Sequence, residues 1–373
     1  MKFKRTLFLM LAALASILLT ACGALPLTNW PGVTVDNKYV YLADGQFVYT
    51  VQLSDGKEVT VQNAGSTVPL RFPAQADANI AIYSAPALTA DGQMIVGSSS
   101  TQTNIHSLYS IDPLTGVKKW SIETPGVWLP GAFVQNDLIY APNGDGKLYA
   151  FDLQGKKRWE SVVSKDALWT NPVSDGKTLY IGTLAHDLIA LDAKTGEQRW
   201  QQTLDNAIIG APALSPDGVL YVGTLSGNLY AFKAADGSQL WLAKLQGSIW
   251  STPALDDTTL YVGTSNGTAG KFFAVDATNG RFLRNPMDET GAIIASPLVL
   301  KDQIVYVTED GFINFIDKKG ADLVSPVKIE NAKIYTTPIL AGDFILVAPM
   351  HAEFILAAYS QKGVQQWKFI PTR

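Results

Sequence analysis

The sequence predicts an all-β fold, an eight-bladed β-propeller built from four-stranded antiparallel blades. Three observations predict it. One phrase recurs eight times, and its closing position, four residues after a Gly, is Thr60, Trp120, Trp159, Trp200, Trp241, Arg284, Val324 and Trp367. The intervals are 60, 39, 41, 41, 43, 40 and 43 residues, a period that marks one supersecondary unit per repeat. Each unit holds four short apolar runs separated by Gly, Asp, Asn and Ser, and no stretch keeps helical spacing long enough to compete. A single four-stranded sheet cannot bury both faces. Stacking eight around an axis covers each face with a neighbour and leaves only short edges.

The fourth unit shows the pattern in order. Trp169 to Val173 is the first run, and Ser174-Asp175-Gly176 turns the chain into Leu179-Tyr180-Ile181-Gly182. Leu188-Ile189-Ala190-Leu191-Asp192 is the third run, Lys194-Thr195-Gly196 turns again, and Arg199-Trp200 opens the fourth. The first unit departs most. It closes on Thr60, and a polar segment from about Gln62 to Asn79, with Pro69 and Pro73, reads as an excursion rather than a ninth blade.

The nine tryptophans fall into sets. Trp120, Trp159, Trp200, Trp241 and Trp367 occupy the closing position on the outermost strand. There a large ring can wedge between sheets while its N–H finds a partner. Arg284 and Val324 stand at this place in units six and seven, where less uniform packing is expected. Trp128, Trp169 and Trp250 read as a second register, at the start of the first strand, shared by Tyr83 and Tyr335 in units two and eight and by Ile209 and Ile294 in units five and seven. Trp30 precedes Pro31 at the start of unit one. Tyr83, Trp128, Trp169, Trp250 and Tyr335 are therefore expected to form an aromatic girdle at one mouth of the channel. Such a girdle either plugs the funnel or forms a recognition surface for a partner chain or flat ligand.

The chain starts with Lys2, Lys4 and Arg5, followed by an apolar run from Leu7 to Leu19. The run is too short for a comfortable permanent span, and with its basic start it reads as a secretory signal over residues 1–21. Leu19-Thr20-Ala21-Cys22 resembles the bacterial lipobox, which implies lipid attachment at Cys22 and a short tether over residues 22–29 before the propeller at 30–373. Cys22 is the only cysteine, so no disulfide is expected in this exported chain. Loss of Lys2, Lys4 and Arg5 takes the formal net charge from −4 to −7. An acidic chain argues against nucleic-acid binding and against electrostatic adhesion to anionic lipid, so the anchor must supply membrane attachment.

Little in the sequence points to chemistry. His106, His186 and His351 fall near the turn between second and third strands of units two, four and eight. These units are not adjacent, and strand spacing puts the histidines roughly 15 Å or more apart, too far to share a metal. They read as turn residues. Asn143-Gly144-Asp145-Gly146 lacks the length and closing Glu of a calcium loop and reads as a hairpin turn. No metal, cofactor or catalytic set is assigned. Thr183, Thr224 and Thr264 recur because the strand recurs, and Asp187 and Asp310 lie in turns.

Ala190-Leu191-Asp192-Ala193-Lys194-Thr195-Gly196-Glu197-Gln198-Arg199-Trp200 is similar to the tryptophan-docking motif of the quinoprotein-type (PQQ-like) repeat family. The resemblance covers nearly all of the chain after the signal. It implies the propeller fold and one of two functions. Dehydrogenases of the family bind pyrroloquinoline quinone and calcium, many with an adjacent-cysteine ring, which this chain lacks. Lipid-anchored members are non-catalytic scaffolds that bind envelope proteins and support assembly of outer-membrane β-barrels. The lipobox and length resemble these. Ser248 and Trp250, rather than an acidic pair, precede Ser251-Thr252-Pro253, and Trp367 gives the last unit its own fourth strand. The expected protein is a monomeric, lipid-anchored scaffold in the cell envelope, facing the periplasm where an outer membrane exists. A quinone-dependent dehydrogenase and a small-molecule or glycan-binding propeller are the alternatives.

Overall fold

The structure, a computed structural model, describes residues 30–75, 79–100, 106–124 and 126–372. Cys22 and the stretches expected to form a signal (1–21) and a tether (22–29) lie outside these residues. Eight antiparallel blade sheets follow one another along the chain, each a four-stranded meander except blade two, where two short strands, Ile80–Ala81 and Ala87–Leu88, both pair with Met94–Ser100. No helix occurs among the described residues. The eight-bladed propeller expected from the repeat is the fold observed.

Blade four illustrates why the repeat folds this way. Its strands are Val173–Ser174, Thr178–Gly182, Asp187–Asp192 and Gln198–Thr203. Successive residues of a strand point to opposite faces. In the second strand Leu179 and Ile181 join the cluster shared with blade three, whereas Tyr180 joins the cluster shared with blade five. Both faces are thus covered, and the central strands read as continuous apolar runs. Among the described residues eight such clusters form, each spanning one junction between adjacent blades. Burying a Leu or Ile side chain stabilises by about 1.5–3 kcal/mol, so the inter-blade clusters supply most of the driving force.

The closing tryptophans sit on a repeated backbone irregularity. In blade four Ala190 faces Trp200, then Leu191 faces Gln198, so Arg199 is an extra residue in the outer strand. The same shift occurs beside Trp120, Trp159, Trp241 and Trp367. A bulge adds twist and re-aims the side chains beside it. Each ring lies on a turn glycine of the next blade. At Gly196, where φ is +75°, an added Cβ would come within 2.5 Å of the Trp159 ring. Each indole N–H donates to a carbonyl of that blade, for example Trp159 to Ala193 at 3.2 Å and Trp200 to Ala234 at 3.0 Å.

Blades six and seven lack the tryptophan, and their outer strands are split. A single bridge, Val275 to Phe282 or Ile316 to Asp322, precedes a separate short strand at Met287–Glu289 or Val327–Lys328. Arg284 nonetheless lies against Gly320 and donates from Nη1 to the Lys318 carbonyl at 3.1 Å. Its guanidinium, planar and rich in donors, thereby reproduces the indole's contact. Val324 packs towards Gly363 without a polar bond.

Blade one corrects the reading of Thr60 as a fourth-strand residue. Val59 donates to the Thr50 carbonyl, and Thr50 in turn donates to that of Leu70. Between them Thr60–Asn63 and Ser66–Pro69 form a separate hairpin, and the outer strand resumes at Arg71–Phe72. The excursion is therefore the Thr60–Pro69 hairpin, and Arg71–Phe72, expected to belong to the insert from about Gln62 to Asn79, is instead the outer strand of blade one. The ring closes by packing, since blade eight takes all four strands from the end of the chain. Trp367 donates to the Leu53 carbonyl at 3.0 Å, and Arg71 bonds both Glu58 and Thr372.

Candidate functional site at the channel mouth

The residue four positions before the first-strand partner of each second-strand centre falls at one mouth of the channel. Val173 faces Tyr180, and four back is Trp169; Thr34 faces Tyr41, and four back is Trp30. The same count gives Tyr83, Leu129, Ile209, Trp250, Ile294 and Tyr335. All eight line a single cavity of about 530 Å³. One side chain per blade converges there because the blades are related by near-uniform rotation about the axis.

The geometry brings Tyr83, Trp169, Trp250 and Tyr335 together and removes Trp128 from the set. Trp128 is 1% exposed and packs in the core between blades two and three. It belongs one residue earlier, with Leu168, Ile208, Ile249, Ile293 and Ile334, all fully buried. Four of them fill the space left by a second-strand glycine of the preceding blade: Gly97 receives Trp128, Gly182 receives Ile208, Gly223 receives Ile249 and Gly263 receives Ile293. Sequence reading missed Trp30 and Leu129 as lining residues. Counting back from the first strand, rather than matching tryptophans, would have found both.

The mouth combines exposed rings with a polar floor. Trp169 is 50% and Trp30 is 44% exposed. Trp30 stacks on Tyr335 across the closure junction, with centroids 5.1 Å apart and planes 15° apart. Tyr335 donates its hydroxyl to Glu309 at 2.9 Å, and Lys333 pairs with the same carboxylate at 3.0 Å. Burial, reinforced by that hydrogen bond and the negative charge, pushes the Tyr335 hydroxyl up to about 12. Burial also raises the Tyr83 hydroxyl above its ordinary value. Below the rings, Thr252 N–H donates to Ser296 Oγ at 3.0 Å, and Ser296 N–H donates to Thr337 Oγ1 at 3.2 Å. Blades six, seven and eight are stitched by this ladder.

Farther from the axis, four side chains from blade five converge on Asp205. Tyr230 donates at 2.9 Å, Asn228 at 2.8 Å and Thr224 at 3.1 Å, and Ser226 donates as well. Burial pushes the Asp205 carboxyl up, but the four donors outweigh it and hold it below the usual value. The arrangement braces the connection from blade four to blade five.

The residues considered for chemistry lie apart from the mouth. His186 and His351 occupy turns with φ of 72° and 62°. His106 is instead buried at the start of a strand, where Nδ1 accepts the Ser100 N–H at 2.9 Å, correcting its reading as a turn residue. Among the described residues no three His, Cys, Asp or Glu side chains are grouped to hold a metal ion. Asn143 is buried and donates to the Gly126 carbonyl at 2.8 Å, while Asp145 accepts the Lys147 N–H at 3.1 Å. This segment is a braced hairpin turn. Pyrroloquinoline quinone, which the repeat family implies, carries three carboxylates. The described residues lining the cavity include no Lys, Arg or His, so the mouth does not fit that group.

Comparison with known proteins agrees with this architecture. The sequence profile of the family described as outer membrane protein assembly factor BamB matches residues 26–171 and 166–369. The chain is 27% identical over 77 residues to the outer membrane protein assembly factor BamB of Shewanella oneidensis, which covers 21% of this chain and 20% of that protein. That alignment thus spans about a fifth of the relative's length. The crystal structure of BamB from Moraxella catarrhalis superposes with a TM-score of 0.65 at 18% identity, covering 91% of this chain and 95% of that one. A computationally designed protein, Ika8, superposes with a TM-score of 0.69 at 13% identity, covering 92% and 96%. These superpositions establish the fold. With the profile match across nearly the whole ring, they lead to one conclusion: the chain belongs to the family of the outer membrane protein assembly factor BamB.

Proposed function

We propose that this protein is a non-catalytic, lipid-anchored scaffold of the cell envelope that binds partner proteins at the channel mouth. The observation that carries the reading is the convergence of one apolar or aromatic side chain from every blade, with Trp30 and Trp169 about half exposed. Exposed aromatic clusters at the centre of a face are the usual anchors of protein interfaces. Family membership supports the β-barrel assembly machinery of the outer membrane as the partner. The lipobox-like Leu19-Thr20-Ala21-Cys22 supports attachment through Cys22, with residues 1–21 removed as a signal and the propeller held on the periplasmic side. The uncharged lining disfavours a quinone dehydrogenase.

The experiment is co-purification from detergent-solubilised membranes. Trp169→Ala combined with Trp250→Ala is expected to remove the assembly machinery from the purified material while leaving the thermal melt little changed. Retention of that machinery by a folded double variant would refute the proposed surface.

A further inference from the structure

The chain enters the propeller at the channel mouth, and that limits how the fold can sit relative to an anchor at Cys22. Trp30 lies at the mouth, stacked on Tyr335 with centroids 5.1 Å apart. Pro31 after it is buried, and Gly32 pairs with Ala43. A Cβ on Gly32 would come within 2.1 Å of the Ala85 backbone nitrogen, so the entry strand is held tightly against blade two. Eight residues, 22–29, precede Trp30 from the cysteine onward. At about 3.3–3.6 Å per residue, the chain from Cys22 to Trp30 spans no more than about 26–29 Å in any conformation.

That reach keeps the opposite face off the membrane. The opposite face carries the turns between first and second strands, among them residues 36–38. From Trp30 to Asn37 the first strand descends about 23 Å, at roughly 3.3 Å per residue. A tether passing over the rim must also cross three strand spacings, about 14 Å, which makes a path of roughly 37 Å. One doubling back down the channel would spend about four residues on a turn and keep roughly 13–14 Å. Neither path is long enough. Only the mouth and the near rim of blade one lie within reach. That rim presents the polar hairpin with exposed Gln62, Asn63, Ser66 and Thr67, whereas the mouth presents the half-exposed rings of Trp30 and Trp169. The mouth is the surface with apolar area to bury.

Lipid itself is a poor occupant of that surface. Among the described residues, the turns between second and third strands that ring the mouth hold Asp145, Glu309, Asp310 and Glu353 and no Lys or Arg. The connections from fourth to first strands add Asp166, Asp205 and Glu330 against Lys165 and Lys333. An acidic face repels anionic headgroups and complements a basic protein surface. A protein seated on the mouth occupies a layer no deeper than the tether allows, about 29 Å. A soluble protein would have to enter that layer edgewise, whereas the exposed end of a membrane-embedded protein already lies in it.

We propose that the channel mouth faces the bilayer and docks the exposed, basic end of a protein embedded in the same membrane. This orientation rests on lipid at Cys22 and on the mouth as the partner surface.

The test places the lipidated full-length chain on vesicles of phosphatidylethanolamine and phosphatidylglycerol that carry a headgroup-labelled energy acceptor. Cys22 is the only cysteine, and lipid consumes its thiol, so Thr268→Cys and Asn37→Cys each take a single donor dye. Thr268 is exposed in a mouth-face turn of blade six, and Asn37 is exposed on the opposite face of blade one. Transfer from position 268 is expected to exceed that from position 37 by at least about twofold, given a height difference of roughly 20 Å. Blade six lies across the channel from blade one, so a propeller standing on its blade-one rim would give the reverse order. Inserting twenty Gly/Ser residues after Gly23 adds roughly 70 Å of contour and should erase the difference. Equal transfer or the reverse order in the chain of native tether length overturns the orientation, and so does a difference that survives the insert. Mass spectrometry of the same preparation reads the anchor. Absence of lipid on Cys22 sinks the anchoring reading together with this one, whereas lipid present with the wrong order sinks this one alone. A photo-crosslinker at Thr268 in intact cells is expected to capture an integral membrane protein, identified by mass spectrometry. Adducts with soluble proteins alone, or none, overturn the choice of partner.

Discussion

Removing the ring of Trp367 should open the propeller at the one junction where its two chain ends meet. The indole is 8% exposed and packs in a cluster shared by blades eight and one. It lies against Gly56, meets Phe344 edge-on at 6.3 Å, and donates to the carbonyl of Leu53, 314 residues away in sequence. Trp→Ala in such a setting costs about 3–5 kcal/mol, which includes roughly 1 kcal/mol for the hydrogen bond. Trp367→Phe keeps most of the ring and should recover all but about 1–2 kcal/mol. Trp200→Ala, at an interior junction where the ring is only half-buried, should cost less, about 2–3 kcal/mol. The assay is urea unfolding combined with amide hydrogen exchange. For Trp367→Ala the loss of protection should begin in blades one and eight, because covalent continuity still joins every other pair of neighbours. A midpoint shift no larger than that of the exposed control Val364→Ala would refute the closure argument. So would exchange that begins evenly around the ring.

Three further outcomes are expected. Trp128→Ala should destabilise by about 3–5 kcal/mol, whereas Trp169→Ala should cost under about 1 kcal/mol, as read from paired thermal melts. Similar shifts for the two would mean the register is wrong. Asp205→Asn should lower stability at neutral pH, and the difference from the wild type should shrink with acidification. The folded carboxyl titrates below its unfolded value of about 3.9, so its contribution is present above that pH and lost as pH falls through the folded value. A difference that grows in acid would contradict the role given to its four donors. Cys22→Ser should leave the propeller folded but move it from the membrane fraction to the soluble or unprocessed pool. Normal processing with unchanged membrane attachment would count against lipidation.

The architecture was legible because each blade repeats one physical problem. Two faces must be buried, so two central strands run continuously apolar, and turn glycines punctuate them every 40 residues or so. The same logic hid Trp128. Its Pro130 falls two residues later, whereas Trp169 precedes Pro172 by three, and the large ring drew the eye to the wrong row. A tryptophan in place of the isoleucines of the buried row is a packing substitution that pattern matching reads as a surface feature. The split outer strands of blades one, six and seven were hidden for another reason. Extra residues between a single bridge and the next paired segment depend on tertiary contacts, such as the Arg284 bond to Lys318, that no local propensity encodes.

The central claim, that the aromatic mouth is where partner proteins sit, is tested most directly by site-specific photo-crosslinking in intact cells. A benzoyl-phenylalanine placed at Trp169 or Trp250 reports contact at the mouth. The same residue at Val162, exposed on an outer strand, reports contact at the rim. The account predicts adducts with a component of the outer-membrane β-barrel assembly machinery from positions 169 and 250 and none from 162. Adducts from 162 alone, or none from either mouth position in a folded, membrane-attached protein, would contradict it.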